Sequence, residues 1–193
     1  MSIRGMSRAD RNRWSSVRTV ADLGELMALW LEGKIASRPG YAAHYGPDEE
    51  TAHLVPVLAA LCRAGYVTTQ SQPGLAGTGA DGRWWEQRAA VEMVVTDPFL
   101  LRRLAGAVCG AGMLVRIAEA DQAVVVTTRD REPMTAFGGR VSRAHLLDQW
   151  AELEPRFADQ VARGTYVSVV APEYGPAGER LWRTLGRLRG LSR

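Results

Sequence analysis

The sequence predicts an α+β fold, a mixed sheet of about five strands covered mainly on one face by helices, with a helical N-terminal part. Three observations lead there. Apolar residues recur at three- and four-residue steps towards both ends of the chain, the mark of amphipathic helices. Residues 66–72 and 84–95 alternate with a period of two, which belongs to strands. The remaining patterns then come in the order helix, strand, strand, helices, strand, helix, which suits helices gathered on one side of a sheet. With 193 residues, 46% of them hydrophobic and 23% charged, the chain supports one well-buried core. A single domain over 1–193 is expected, with residues 1–20 as a candidate flexible basic arm.

Residues 7–17 suggest a short helix anchored on Trp14. Residues 21–35 set Leu23, Leu26, Met27, Trp30 and Leu31 on one face, and Gly33 followed by Arg38-Pro39-Gly40 stops that helix. A loop over 41–47 carries two tyrosines and His44. Asp48 is the expected cap of a helix over 48–64, with Glu49 and Glu50 in its first turn, where the dipole favours negative charge. Leu54, Val57, Leu58, Leu61 and Cys62 form its apolar stripe, Pro56 bends it, and Gly65 ends it.

The two strands 66–72 and 84–95 are separated by Pro73-Gly74 and a glycine-rich loop, with a helix as the alternative for 85–92. Asp97-Pro98 opens a helix in the favoured way, cap then proline, and Leu100, Leu101, Leu104 and Val108 are its buried side. Residues 113–118 and 123–128 read as a hairpin turning at Glu119-Ala120-Asp121-Gln122, followed by a polar loop over 129–140. Ser142 caps a helix with Leu146, Leu147 and Trp150, and Pro155 separates it from a short one around Phe157 and Val161. Residues 165–170 are an apolar, β-branched strand of the kind buried in the middle of a sheet. After a loop at 172–176, the last helix buries Leu181, Trp182, Leu185 and Leu188 and turns Arg180, Arg183 and Arg187 outward.

No run of about 18 apolar residues exists, and the arginine-rich start lacks the apolar stretch of a signal peptide, so a cytoplasmic location with no membrane partner is expected. Cys62 and Cys109 both read as buried free thiols. The net charge of +3 gathers at the two ends, each with five arginines against one acid, and the middle is left at about −5. A body of that sign repels phosphate, which makes nucleic acid an unlikely partner.

The motifs that carry chemistry are few. Gly77-Thr78-Gly79-Ala80-Asp81-Gly82 matches the dinucleotide-binding string, but the strand before it is polar and the segment after it reads as a strand, so a flexible hairpin loop is the better reading. His44, His53 and His145 have no metal-ligand spacing with Cys, Asp or Glu, and no metal is expected. Ser71 is flanked by Gln70 and Gln72 rather than by the small residues of a nucleophile turn. The strongest signal is the pair of strands itself. If Val67 faces the core, so do Thr69 and Ser71, while Gln87 shares a face with Val91, Met93 and Val95. Polar groups at such positions cost about 1–3 kcal/mol each unless satisfied, by one another or by a ligand.

Ser71-Gln72-Pro73-Gly74 after Ala64-Gly65-Tyr66-Val67-Thr68, then Gln87-Arg88-Ala89-Ala90-Val91, and later Tyr166 to Gly175 followed by Leu181-Trp182, resemble an uncharacterised family of small actinobacterial proteins. Gly65, Tyr66, Thr68, Ser71, Gln72 and Pro73 are also similar to a segment of the regulatory domain of methylenetetrahydrofolate reductase, with Gln70 in place of an Asn. That second resemblance implies small-molecule binding, since the domain binds S-adenosylmethionine. The expected site is therefore a pocket for a small polar or nucleotide-like molecule at the Ser71/Gln72 and Gln87/Arg88 hairpin. Ser71, Gln72 and Gln87 would orient the ligand, Arg88 would meet an anionic group, and Trp84 or Trp85 would stack. Any cofactor or reaction stays open, with Glu86 or Glu92 as acid or base only if buried against the tryptophans. The alternative is a winged-helix DNA-binding regulator using helix 48–64 and hairpin 66–95, whose only basic contact on that helix is Arg63.

Overall fold

The computed structural model describes residues 5–118 and 122–188. Helix α1 (Arg8–Ser15) begins where the Ser7 hydroxyl accepts the Asp10 N–H at 3.0 Å. Its Trp14 is fully buried, so from residue 8 onward the basic arm is docked on the body. A capping box between Thr19 and Asp22 starts α2 (Val20–Leu31). The expected helix over 48–64 is two elements, a 3-10 helix Glu49–Leu54 and α3 (Val55–Arg63). Pro56 sits in the first turn of α3, where its missing N–H leaves no bond unmade, and it does not bend a continuous helix. The Asp48 side chain caps nothing.

The sheet has seven strands, all antiparallel, in place of a mixed sheet of about five. Its axis is β3 (Trp84–Val95), with β1 (Val67–Gln72) and β2 (Ala76–Thr78) in line along one edge. The short β2 carries on the pairing register of β1 past the Pro73-Gly74 interruption, which hid it as a strand. Helix α4 (Pro98–Gly110) leads to β4 (Leu114–Ile117), and β5 (Val124–Arg129) pairs with β6 (Glu132–Phe137). The β6 stretch read as a loop because only its last residue is buried, and its turn uses Asp130 and Arg131 at φ of 50° and 72°, where Asn or Gly would have signalled a hairpin. The expected hairpin between residues 113–118 and 123–128 is not paired: β4 lies on β7 (Thr165–Tyr174), and β5 lies on β3 and β6. Of its turn, Glu119, Ala120 and Asp121 lie outside the described residues.

The strand order β4-β7-β3-β5-β6 divides the second edge of β3 between β5, at Trp85–Gln87, and β7, from Arg88 to Val95. The β7 strand runs on to Tyr174, into the expected loop at 172–176, a 3-10 helix follows from Gly175, and the register slips opposite Arg88. The Ala171 and Pro172 carbonyls freed there accept hydrogen bonds from the Arg88 guanidinium, which also lies 4.2 Å from the centre of the Tyr174 ring.

One face of the sheet meets the helices. Val91, Met93, Val167, Val169 and Ala171 join a cluster with Leu58 and Leu61 of α3, Leu104 and Val108 of α4, and Leu181 and Leu185 of α7 (Arg180–Leu188). The alternate residues Ala90 and Val170 pack with Val126 and Phe137, so the β5–β6 hairpin covers the second face that the sequence left bare. Of the two thiols, Cys62 is buried and burial pushes it up, whereas Cys109 is exposed. Helices α5 (Arg143–Gln149) and α6 (Pro155–Ala162) close the fold, where the Trp150 indole donates to the Tyr166 hydroxyl at 2.7 Å.

Burial pushes the Tyr166 phenol up to about 12. A raised value favours the neutral phenol in the folded protein, so its contribution is complete below about pH 10 and is lost as pH rises towards 12. Tyr166→Phe is expected to cost about 1–3 kcal/mol near neutral pH, because the indole N–H loses its acceptor. Urea unfolding of both proteins should then show the difference shrinking above pH 10.

Candidate functional site

Among the described residues the outer edge of β1 pairs with no other strand, and beside it opens a cavity of about 400 Å³. Its walls come from β1 (Thr68 to Gln72), from the end of α2 and the loop after it (Trp30, Leu31, Arg38, Gly40, Tyr41), from the 3-10 helix (Glu50, Thr51) and from α5 (His145, Asp148, Gln149).

The backbone irregularity that shapes it is a bulge at Thr69, between the pairs Thr68↔Met93 and Gln70↔Glu92. One extra residue reverses the facing of everything after it. Ser71 therefore lies opposite Val91 and Gln72 opposite Ala90, and the expected common face of Val67, Thr69 and Ser71 does not form. The bulge also leaves the Thr69 carbonyl to accept a hydrogen bond from Arg38 Nη2 at 3.0 Å.

Arg38 is the unusual group in the wall. It keeps only 5% of its exposure, and its guanidinium lies against the rings of Trp30 (4.8 Å) and Tyr41 (4.7 Å), which meet each other edge to face. Nη1 donates to the Pro39 carbonyl at 3.3 Å, and Nε is buried with no acceptor. Among the described residues no carboxylate pairs with it, and burial pushes it down to about 10. Its loop is fastened from several sides. The Trp14 indole donates to the Ser37 carbonyl at 2.9 Å, and the Ser37 hydroxyl accepts the His44 N–H at 3.0 Å. Gly40, at φ +64°, has Gln149 where a side chain would go: an added Cβ would lie 2.9 Å from the Gln149 carbonyl oxygen.

Of the six residues the sequence singled out, Ser71 and Gln72 line this cavity and four do not. The Ser71 hydroxyl is half-buried and has no hydrogen-bond partner among the described residues. Gln72 Oε1 accepts from the Thr127 hydroxyl at 2.8 Å, which fixes the amide. Gln87 reaches the cavity indirectly, its amide donating to Glu50 at 3.4 Å. Arg88 is occupied by the β7 carbonyls. Trp84 and Trp85 belong to the hairpin tip, about 17 Å along β3 from Ala90. There Trp85 donates to Asp81 at 3.1 Å and Trp84 remains 47% exposed. Glu92 accepts from Ser168 at 2.7 Å and from the Gly138 N–H at 2.9 Å, and so ties the sheet to the β6 end. The sequence missed Arg38, Trp30, Tyr41 and the acids Asp48, Glu50 and Asp148. The one local trace was the spacing of His145 and Asp148, three apart on a single helix.

Among the described residues no group of three or more His, Cys, Asp or Glu is placed to hold a metal ion, and no helix is long and apolar enough to cross a membrane. Fold and cavity together define an antiparallel α+β domain with a polar cleft at the open edge of its hairpin. The chain belongs to the family described as a domain of unknown function (DUF6919), which matches residues 9–190. No curated protein matches it.

Proposed function

We infer that this protein binds a small polar or nucleotide-like molecule in the cavity along the open edge of β1. The observation that supports this most is the company kept by the unpartnered Ser71 hydroxyl: in one cleft of about 400 Å³ it stands with the Gln72 amide and a buried arginine that has no counter-ion. Ligand sites have this size and this small number of convergent polar groups. In this reading Ser71 and Gln72 orient the ligand, Trp30 and Tyr41 take the stacking role first sought in Trp84 and Trp85, and Gln87 acts through Glu50. The likeness to the methylenetetrahydrofolate reductase regulatory domain falls on Ser71 and Gln72, which puts adenosylmethionine-type compounds among the candidates. A thermal-shift screen of nucleotides, such compounds and amino acids tests it. A rise in Tm that Ser71→Val removes, with about a tenfold loss of affinity, is the expected result. A screen in which nothing moves the wild type, or a shift untouched by Ser71→Val, counts against it.

The DNA-binding alternative gains nothing from the described residues. Helix α3 buries Leu58, Ala59, Leu61 and Cys62, and β3 is paired along both edges, so the hairpin is built into the main sheet rather than standing out as a free wing. Arg63 is held by Glu25 at 2.8 Å and Glu32 at 2.6 Å, and with Lys34 it keeps the Glu32 carboxyl down at about 2.

A further inference from the structure

Resting on that reading of the cavity, we propose that its ligand is a small zwitterion, whose carboxylate lies on Arg38 and whose cationic group faces Asp48, Glu50 and Asp148 at the mouth. The placement of charge carries this. Among the described residues, Arg38 is a buried cation whose hydrogen-bond partners are two neutral carbonyls, so its charge has no counter-ion and its Nε–H is buried without an acceptor. Contact with the rings of Trp30 and Tyr41 and the bonds to two carbonyls hold the guanidinium in place, which lowers the entropic cost of aligning it on a planar carboxylate. Burial that pushes Arg38 down to about 10 also means that the charged form is held against a penalty, and a bound carboxylate removes it.

The rest of the lining has the opposite sign. Asp48, Glu50 and Asp148 are exposed, and none of them is paired with a basic side chain among the described residues. They repel a polyphosphate approaching Arg38 and attract an ammonium or other cation on the same molecule. The same lining holds Gln70, Ser71 and Gln72, all uncharged. A cation inside and acids outside form a dipole, and the ligand that matches it carries its anion inward.

Titration calorimetry on the full chain tests the inference with L-amino acids and dipeptides, each beside its C-terminal amide and its N-acetyl form, with ATP and inorganic phosphate as polyanions. At least one zwitterion is expected to bind, with its amide and N-acetyl forms weaker by about tenfold or more. Arg38→Met should lose as much as the amide does. The ligand series uses wild-type protein, so its outcome stands even if a variant folds poorly. Equal binding of the matched derivatives, full binding to Arg38→Met, or binding of ATP in place of every zwitterion overturns the zwitterion and leaves the cavity as a site. If neither this series nor the wider screen of nucleotides and adenosylmethionine-type compounds binds, the cavity reading falls with it.

Discussion

Replacing Trp14 by alanine is expected to lower the unfolding free energy by about 3–5 kcal/mol and to loosen the Arg38 loop with it. Trp14 has no exposed surface, and its loss opens a cavity between α1 and the core. The indole also donates the bond that holds the Ser37 carbonyl, and the Ser37 hydroxyl in turn holds the His44 N–H. One side chain thus fastens both ends of the segment that carries Arg38 and Tyr41. Trp14→Phe separates the two contributions, because it keeps most of the volume and removes only the donor, for a smaller loss of about 1–3 kcal/mol. Urea unfolding of the three proteins measures this. If Trp14→Ala unfolds at the wild-type urea concentration, residues 8–15 are an undocked arm after all.

How much was legible in the sequence depends on how local each signal is. Caps and stripes lie within a turn or two, so the helix opened by Asp97-Pro98 and the one opened by Ser142 are found in place, with Asp97 accepting the Phe99 N–H at 2.8 Å and Ser142 accepting that of His145 at 3.2 Å. The apolar run of β7 likewise marked a strand with neighbours on both sides. The exposed β6 offered no such alternation. A bulge leaves no mark in composition, and the one at Thr69 altered which side chains share a face with Ser71. The paired tryptophans drew attention to the hairpin tip, yet two large adjacent rings on a strand must point to opposite faces, and one of them ends in solvent. Arg38 was the hardest to see. Its helix-stopping Pro-Gly context is local, whereas its contact with Thr69 spans 31 residues and exists only once β1 has paired with β3.

That contact sets up an opposition between stability and binding. Arg38→Met is expected to weaken carboxylate recognition by about tenfold or more while leaving the unliganded protein about as stable as the wild type. Holding the guanidinium charged in its buried place costs about 3 kcal/mol, judged from its displacement from the ordinary value to about 10. Methionine keeps a long apolar stem against Trp30 and Tyr41 without the charge. Against the gain stand the lost bonds to the Pro39 and Thr69 carbonyls and the lost stacking, about 2–5 kcal/mol together. The two nearly cancel, and the variant is expected within about 2 kcal/mol of the wild type, as when a buried charged group is replaced by an apolar one of similar volume. The pH dependence identifies the cause. A depressed value means that the unfolded chain binds the proton more tightly, so the wild type carries the full penalty below about pH 10 and sheds it as pH rises above that. In denaturant unfolding the wild type should therefore gain stability relative to the variant as pH rises above about 10. A variant that is strongly destabilised at every pH would show instead that Arg38 is a structural clamp on the Thr69 bulge, its charge already compensated by the two rings and two carbonyls around it.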